Sequence, residues 1–238
     1  MTAQTQVPAT AIYSPSQPMR ERSAWYVPGP LVLLVDLVLL AATVVAFWQS
    51  AMHAGAVKGV LVVVGIVLAL VVSLVLRGLT VVTPGRAHVV QLFGKYQGTI
   101  REPGMQWVNP FTNRIQVSTR IRNLESAQAK VNDADGNPIE IAAVVVWEVQ
   151  DTAQATYSVD DYAKFVAIQA ETAVRHIASS YPYDSRGVEG VMSLRDNADE
   201  ITQKLSAELA DRVRAAGVEV IETRLTRLSY APEIAGAM

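Results

Sequence analysis

Three histidines, His53, His88 and His176, are the side chains in this sequence best suited to acid–base or metal chemistry. They lie far apart, and none belongs to an H-E-x-x-H pattern, which places two imidazoles on one helix face for zinc. The sequence has no G-x-S-x-G elbow, no G-x-G-x-x-G loop and no Walker loop, and it has no cysteine. We therefore predict no catalytic residue, no cofactor and no metal site, and we assign the histidines to packing or surface roles.

The motif Asp133-x-Asp135-Gly136 resembles the start of a calcium-binding loop. With Gly136 at the sixth loop position, however, Val131 takes the first position and Ala142 the twelfth, where a calcium loop needs carboxylates. Asp135-Gly136 also lies between two runs of β-forming residues, and glycine accepts the positive φ of a type I′ turn. The motif therefore predicts a hairpin turn and not a calcium site.

Two apolar blocks, Leu31–Trp48 and Gly59–Leu76, are separated by the short connector Gln49–Lys58. Eighteen helical residues rise about 27 Å, close to the hydrocarbon thickness of a bilayer. Neither block leaves one helical face polar, as expected for helices surrounded by lipid. We predict a transmembrane hairpin over residues 31–76 that anchors the domain following it.

Asp36 is the charged residue inside the first block. A carboxylate at a helix centre costs about 2.5–3.5 kcal/mol, whereas each Leu, Val or Phe returns about 0.3–0.6 kcal/mol, so the apolar residues outweigh it. Asp36 lies about 7.5 Å inside the block, within reach of water and headgroups. We interpret it as a tolerated carboxylate near the interface. The alternatives are an ion or proton site and a pairing with another subunit.

Aromatic residues flank the predicted first span. Trp25 and Tyr26 precede it and Trp48 ends it, positions that suit the amphipathic interface of a bilayer. Residues 1–30 carry five of the eleven prolines together with many Ser, Thr and Gln residues. Such a composition buries little apolar surface, so we predict a disordered N-terminal tail.

The charge distribution bears on orientation and on partners. Arginines flank the predicted hairpin on both outer sides. This distribution predicts a multi-pass protein of the cell membrane whose termini and domain are cytoplasmic. The connector offers only His53 and Lys58. After residue 77 acidic residues outnumber basic ones, which argues against nucleic-acid binding.

From Leu79 the pattern changes to short β-type runs, and later to helical spacing. The β-type runs are Leu79–Val82, Ala87–Phe93, Gly98–Arg101, Ile115–Leu124, Ile139–Val149 and Val218–Leu228. Helical spacing predicts one helix from Tyr162 to Tyr181 and another that starts at the capping box Ser193-x-x-Asp196 and ends before Gly217. This order predicts an α+β domain over residues 79–230 and not a doubly wound sheet.

Several of these segments, in this order and spacing, resemble the SPFH, or band 7, family of stomatin-, prohibitin- and flotillin-like proteins, here of bacterial type. The resemblance is carried by Val82–Gly85, Val89–Tyr96, Glu102–Trp107, Asn109–Phe111, Asp133–Ile139, Val144–Val149, Ala170–Ile177 with Arg175, Tyr181–Asp184 and Ala216–Val220. It implies an α+β domain that lies against a membrane, assembles into large homo-oligomers and has no catalytic residues of its own.

The chain departs from the family pattern in two ways. Two full spans stand where relatives commonly have one span or a re-entrant loop. The sequence stops at Met238, where a long Ala/Glu-rich coiled-coil helix follows in the family. We therefore interpret residues 231–238 as the start of a missing or truncated C-terminal helix, which puts ring or cage formation in doubt.

Trp107 and Phe111 allow two interpretations. Their loops follow the anchor closely, and aromatic rings are favoured at the bilayer interface, so both are candidates for membrane contact alongside Trp25, Tyr26 and Trp48. The alternative is that both rings fill the core of the sheet.

The function that follows is a membrane-anchored scaffold that homo-oligomerises and organises membrane patches or membrane protein complexes. Its expected partners are the lipid bilayer, further copies of the chain and other membrane proteins. The first alternative is a regulatory binding partner of a membrane-bound protease. The distant alternative is a membrane enzyme or transporter that uses Asp36.

Overall fold

The computed structural model of the chain describes residues 19–185 and 192–232. Its order of elements is the one expected for a helical hairpin followed by an α+β domain. The helices are α1 (Gly29–Met52), α2 (Ala56–Gly78), α3 (Thr152–Tyr157), α4 (Tyr162–Ser180) and α5 (Ala198–Val213), with a 3-10 turn at Arg214–Ala216. The strands are β1 (Val27–Pro28), β2 (Leu79–Val82), β3 (Arg86–Leu92), β4 (Lys95–Ile100), β5 (Gly104–Trp107), β6 (Thr112–Ser118), β7 (Arg122–Glu125), β8 (Ala129–Asn132), β9 (Pro138–Val149) and β10 (Val218–Tyr230).

The helices α1 and α2 contain both predicted apolar blocks and extend them by a few residues at each end. Most of their large apolar side chains are exposed, and a small or polar stripe is buried. In α1 this stripe includes Asp36, Thr43 and Ser50, spaced seven residues apart. Seven residues are close to two helical turns, so the three side chains share one face. In α2 a Cβ at Gly65 would lie 3.0 Å from the ring of Phe47, so the two helices are in close contact there.

Asp36 lies on this buried stripe. Its side chain is only 4% exposed, and no described residue donates a hydrogen bond to its Oδ1. The carboxylate is therefore not open to water in the isolated chain, and its position near the membrane interface stays a prediction. The seven-residue spacing with Thr43 and Ser50 places Asp36 inside the hairpin and not on its outer surface.

The described strands form three antiparallel sheets. Their orders are β1-β5-β2, β4-β3-β6 and β10-β9-β7, with β8 also paired to β9. The third sheet is covered on one face by α4 and α5, which supply the largest apolar cluster. The predicted α+β class is confirmed.

Two predicted elements differ from the structure. The single strand expected over Ile115–Leu124 is divided into β6 and β7, which belong to different sheets, because the chain turns between Ser118 and Arg122. Only half of the capping box forms: the Asp196 N–H donates to Ser193 Oγ at 3.1 Å, but the Ser193 N–H donates to Asn197 Oδ1 and not to Asp196. It closes a turn before the helix, however, and α5 begins at Ala198.

The hairpin predicted at Asp135-Gly136 is confirmed, since β8 and β9 pair as antiparallel strands with Asn132 opposite Pro138. Its loop is not the predicted I′ turn, however, and a tight turn of that type lies elsewhere. Phe93 and Gly94 join β3 to β4, and their φ angles of 46° and 84° fit a type I′ turn. At the predicted site only Gly136 has a positive φ, 85°. There Asp133 Oδ1 accepts from the N–H groups of Asp135 and Asn137 at 3.0 and 2.7 Å. Local side-chain hydrogen bonding therefore makes an Asx-type loop in place of a I′ turn.

The predicted disordered tail is also corrected over residues 19–30. This segment is ordered: Ala24 is 5% exposed and packs with Val82, Val90 and Ile100 in a second apolar cluster. The rest of the tail, residues 1–18, lies outside the described residues, as does most of the expected C-terminal helix start.

Candidate membrane-proximal site

The end of α2 is fixed to the domain by side chains from two sheets. Arg114 of β6 donates to the carbonyls of Arg77 and Leu79 at 3.0 and 3.2 Å. Trp107 of β5 donates from Nε1 to the Val75 carbonyl at 2.9 Å. Carbonyls in the last turn of a helix have no partner inside the helix and carry partial negative charge. A guanidinium and an indole therefore cap this terminus together.

Gly78, the last residue of α2, makes this close approach possible. A Cβ at this position would overlap the indole of Trp107 and would lie 2.6 Å from the Val108 carbonyl. The Gly78 carbonyl in turn accepts from the Val108 N–H at 3.0 Å. Any larger side chain would push Trp107 away from the helix end.

The start of α1 reaches the same strand. Val27 pairs with Trp107 on one side of β5, and Leu79 pairs with Trp107 on the other. Gly29 packs closely on β5, because a Cβ there would lie 2.7 Å from the Met105 carbonyl. Both ends of the helical hairpin therefore meet on one strand of the domain.

Residues Glu21–Val27, which we call the N-terminal arm, lie along the domain before α1 begins. Glu21 accepts from the backbone N–H and the hydroxyl of Thr152 at 2.7 and 2.9 Å, and it pairs with Arg101. Its own N–H donates to Asp151 Oδ2 at 3.0 Å. Burial alone would raise the pKa of the Glu21 carboxyl, but the hydrogen bonds from Arg101 and Thr152 outweigh burial and lower it.

The middle of the arm pairs with β4. The Thr99 N–H donates to the Arg22 carbonyl at 2.8 Å, and the Ala24 N–H donates to the Thr99 carbonyl at 3.1 Å. The Arg22 guanidinium lies 5.5 Å from the ring centre of Tyr96 and donates to the Tyr96 carbonyl. The arm is thus held by hydrogen bonds at several points and not by apolar packing alone.

The predicted interface aromatics fall into two groups. Trp25 and Trp107 lie edge to face with ring centres 6.3 Å apart, next to Tyr26, whose pKa is raised by its hydrogen bond to Glu102. Trp48 is at the opposite end of α1 and is 66% exposed. Phe111 is 60% exposed, so it does not fill the core. Membrane contact by these rings stays a prediction.

Sequence reasoning missed three residues of this site. Arg114 and Glu21 carry no motif, because their partners are backbone groups far away in sequence. Phe93, 86% exposed at the tip of the β3–β4 hairpin, was predicted as the last residue of the strand Ala87–Phe93. The pair Phe93-Gly94 offered a signal, since a glycine between two β-type runs indicates a tight turn.

An apolar groove of about 270 Å³ lies where α1, α2 and β5 meet. It is lined by Val27, Leu31, Val32, Val35, Val75 and Trp107. Because every lining surface is apolar, the groove suits hydrocarbon and not a polar substrate.

Among the described residues, no three His, Asp or Glu side chains are grouped so that they could hold a metal ion. His53, His88 and His176 lie after α1, in β3 and on α4. Asp133 is 5% exposed, and Oδ2 accepts from the Asn137 amide and the Tyr183 N–H at 3.1 and 3.0 Å. The carboxylate oxygens of Asp133 therefore accept hydrogen bonds from its own loop and from the Tyr183 N–H of the same chain.

The helices α1 and α2 have the length and composition of membrane spans. They contain 24 and 23 residues with mean hydropathies of 2.6 and 3.2, and only 17% and 11% of their most apolar windows are buried. Exposed apolar surface on this scale is unfavourable in water, which indicates membrane association. The capped junction lies at the end of α2, next to this apolar surface.

Comparisons with known proteins identify the family of the domain. A model of the SPFH domain / Band 7 family matches residues 80–238. An uncharacterized protein of Methanothermobacter thermautotrophicus is 28% identical over 177 residues, 73% of this chain and 52% of that protein. A protein of Acanthamoeba polyphaga mimivirus, named as a band 7 family protein, is 23% identical over 158 residues, 66% of this chain and 49% of its own length. The chain thus spans about half the length of these curated relatives. On the family match, which covers more than half of its residues, the chain belongs to the SPFH domain / Band 7 family.

Proposed function

We propose that this chain is a membrane-anchored, non-catalytic scaffold that forms homo-oligomers and organises membrane patches or membrane protein complexes. Both α1 and α2 cross the cell membrane, and the domain lies against its cytoplasmic face. Family membership supports a scaffold-like role at a membrane. The geometry of the junction supports the two-pass arrangement.

The pairing of Val27 and Leu79 with the same residue, Trp107, carries the proposal. One of these residues precedes the hairpin and the other follows it, so the chain enters and leaves the bilayer at one place. At 1.5 Å per residue each helix is about 35 Å long, enough to reach the other leaflet and return.

This anchoring geometry also explains how weak contacts between domains could organise a membrane. The capped α2 terminus and the N-terminal arm fix the height and tilt of the domain above the bilayer. Tethered, similarly oriented domains have already lost much of the freedom that association costs. Lateral contacts then act at high effective concentration, and many weak contacts add up to stable assembly.

The two-pass arrangement is tested by cysteine labelling, since the natural chain has no cysteine. Ala54→Cys places a thiol in the connector between the helices, and Ser179→Cys places one at the exposed end of α4. A membrane-impermeant maleimide added to intact cells should label Ala54→Cys alone. Labelling of Ser179→Cys alone would reverse the orientation, and protection of Ala54→Cys before and after permeabilisation would indicate a re-entrant loop.

Assembly is tested separately in native membranes. Chemical crosslinking of the intact protein should give a ladder of homo-oligomers, and extraction in a mild detergent should give a mass well above that of one chain. A monomer in detergent together with no crosslinks in membranes would contradict the scaffold proposal, whatever the topology proves to be.

A further inference from the structure

One face of the β4-β3-β6 sheet carries polar side chains, of which His88 and Arg114 are half-buried and Gln116 is exposed. His88 lies opposite Gln116 of β6, and Val90 lies opposite Arg114. Residues opposite each other on antiparallel strands share a face, and so do residues two apart on one strand. His88, Val90, Arg114 and Gln116 therefore lie on the same face of this sheet.

The β1-β5-β2 sheet covers that face. Val90 packs with Val82 of β2 and with Val108, just after β5, in the second apolar cluster. Thr80 is two residues before Val82 and so shares its side of the sheet, and Thr80 lies opposite Gln106 of β5. Thr80 and Gln106 are each 8% exposed. Their side chains therefore point into the layer that holds His88 and Arg114.

The polar atoms in this layer have no protein partners. Both ring nitrogens of His88, Nε of Arg114, Oγ1 of Thr80 and Oε1 of Gln106 are buried, and no described residue hydrogen-bonds to them. Donors and acceptors are balanced: His88, Arg114 and Thr80 each offer a hydrogen, while Gln106, Thr80 and the second nitrogen of His88 accept. Buried polar groups left over in this way are typically bridged by ordered water.

The layer favours a neutral His88. Burial lowers the pKa of its imidazole, and the positive charges of Arg114 and Arg86 lower it further. The neighbours of His88 on its own sheet, Ile100 of β4 and Gln116 of β6, are uncharged. The residues that β2 and β5 bring to the layer, Thr80 and Gln106, are uncharged as well. No described carboxylate lies there to stabilise an imidazolium.

Arg114 connects this layer to the membrane helices. Its terminal nitrogens cap the Arg77 and Leu79 carbonyls at the end of α2, while its Nε remains in the layer. A charge on His88 would repel the guanidinium that holds the end of α2.

We propose that Thr80, His88, Gln106 and Arg114 form a water-binding site between the two sheets, and that protonation of His88 disrupts it and loosens the attachment of α2 to the domain. The junction is therefore acid-sensitive. The inference does not depend on the scaffold function, because it concerns one chain.

Hydrogen exchange of the full chain in lipid nanodiscs tests the proposal. After correction for intrinsic exchange, the opening equilibrium of residues 75–82 should grow as pH falls below about 6.5, by up to about tenfold per pH unit for one linked proton. His88→Gln, which cannot take up the proton, should remove this dependence. The matched control is His176→Gln on the exposed face of α4, which should leave it unchanged.

A second measurement decides the matter if His88→Gln does not fold. In the natural chain, NMR of the His88 imidazole should show the neutral form persisting well below the usual pKa of about 6.5. A long-lived water signal should also be seen at the Thr80 methyl group. An imidazole that titrates normally with no change in exchange, or equal pH dependence in the natural chain and His88→Gln, overturns the proposal.

Discussion

The indole nitrogen of Trp107 donates to the Val75 carbonyl at 2.9 Å, joining a strand of the domain to the last turn of the second apolar helix, α2. The two residues are 32 positions apart, and the same tryptophan pairs with the strands on both sides of β5. Trp107 therefore lies at the centre of the attachment between hairpin and domain.

Replacing Trp107 by Phe should test this attachment, since Phe keeps an aromatic ring and removes the donor. The Val75 carbonyl would lose its side-chain partner, and we expect a loss of about 1–2 kcal/mol in the free energy of unfolding of the junction. This loss is measured by denaturant titration in detergent, with hydrogen exchange of residues 75–82 as the signal. Trp48→Phe, at the exposed far end of α1, is the control and should change little.

Gly78→Ala should be more damaging than an ordinary glycine replacement. The new Cβ would meet the Trp107 ring and the Val108 carbonyl, and we expect a cost of about 1–3 kcal/mol from overpacking. Gly59→Ala in the same helix meets nothing within 4 Å and should be neutral or stabilising, by up to about 1 kcal/mol. Thermal unfolding of the two variants side by side distinguishes them, and equal midpoints would refute the packing argument.

Glu21→Gln should release the N-terminal arm. The carboxylate accepts two hydrogen bonds from Thr152 and pairs with Arg101, so we expect a loss of about 1–3 kcal/mol at neutral pH. Glu171→Gln removes only an exposed pair with Arg175 and should cost less than about 0.5 kcal/mol. Denaturant unfolding of both variants beside the natural chain, followed by tryptophan fluorescence, measures the two losses.

The same carboxyl predicts a pH dependence with a definite sign. The pKa of Glu21 is lower in the folded chain than its ordinary value of 4.5. Its contribution to stability is therefore complete above about pH 4.5 and is lost as pH falls through the lower folded pKa. The natural chain should lose more stability than Glu21→Gln over this range, and parallel curves would show that the carboxylate is not protected.

Membrane contact by the aromatic rings can be tested with single-tryptophan chains, because there are four tryptophans. In vesicles containing brominated lipids, we expect quenching of Trp25, Trp48 and Trp107. Trp147 is 3% exposed and packs in the domain core beside Tyr162, so it should stay bright. Quenching of Trp147 would indicate a different placement of the domain, and unquenched Trp25 would remove the arm from the membrane surface.

The sequence alone determined the features that depend on composition and local periodicity. Eighteen-residue apolar blocks predicted the two long apolar helices, and runs of β-forming residues between turn residues predicted most of the strands of the domain. The sequence also predicted that the helix ends before Gly217. The structure shows Gly217 with a φ of 65°, a left-handed conformation that glycine adopts readily at helix ends. The family resemblance was confirmed as well. It rests on the order and spacing of short motifs, which the sequence alone contains.

Only the tertiary structure decided which distant groups meet. Glu21 and Thr152 are 131 residues apart, and nothing local to a proline-rich tail indicates that its carboxylate binds a helix start in the domain. The burial of Asp36 depends on which face of α1 packs against α2. The polar layer around His88 depends on two sheets that face each other. Periodicity identifies the faces of single elements, but the packing of one element against another is set by side-chain shape and by hydrogen bonds that span the chain.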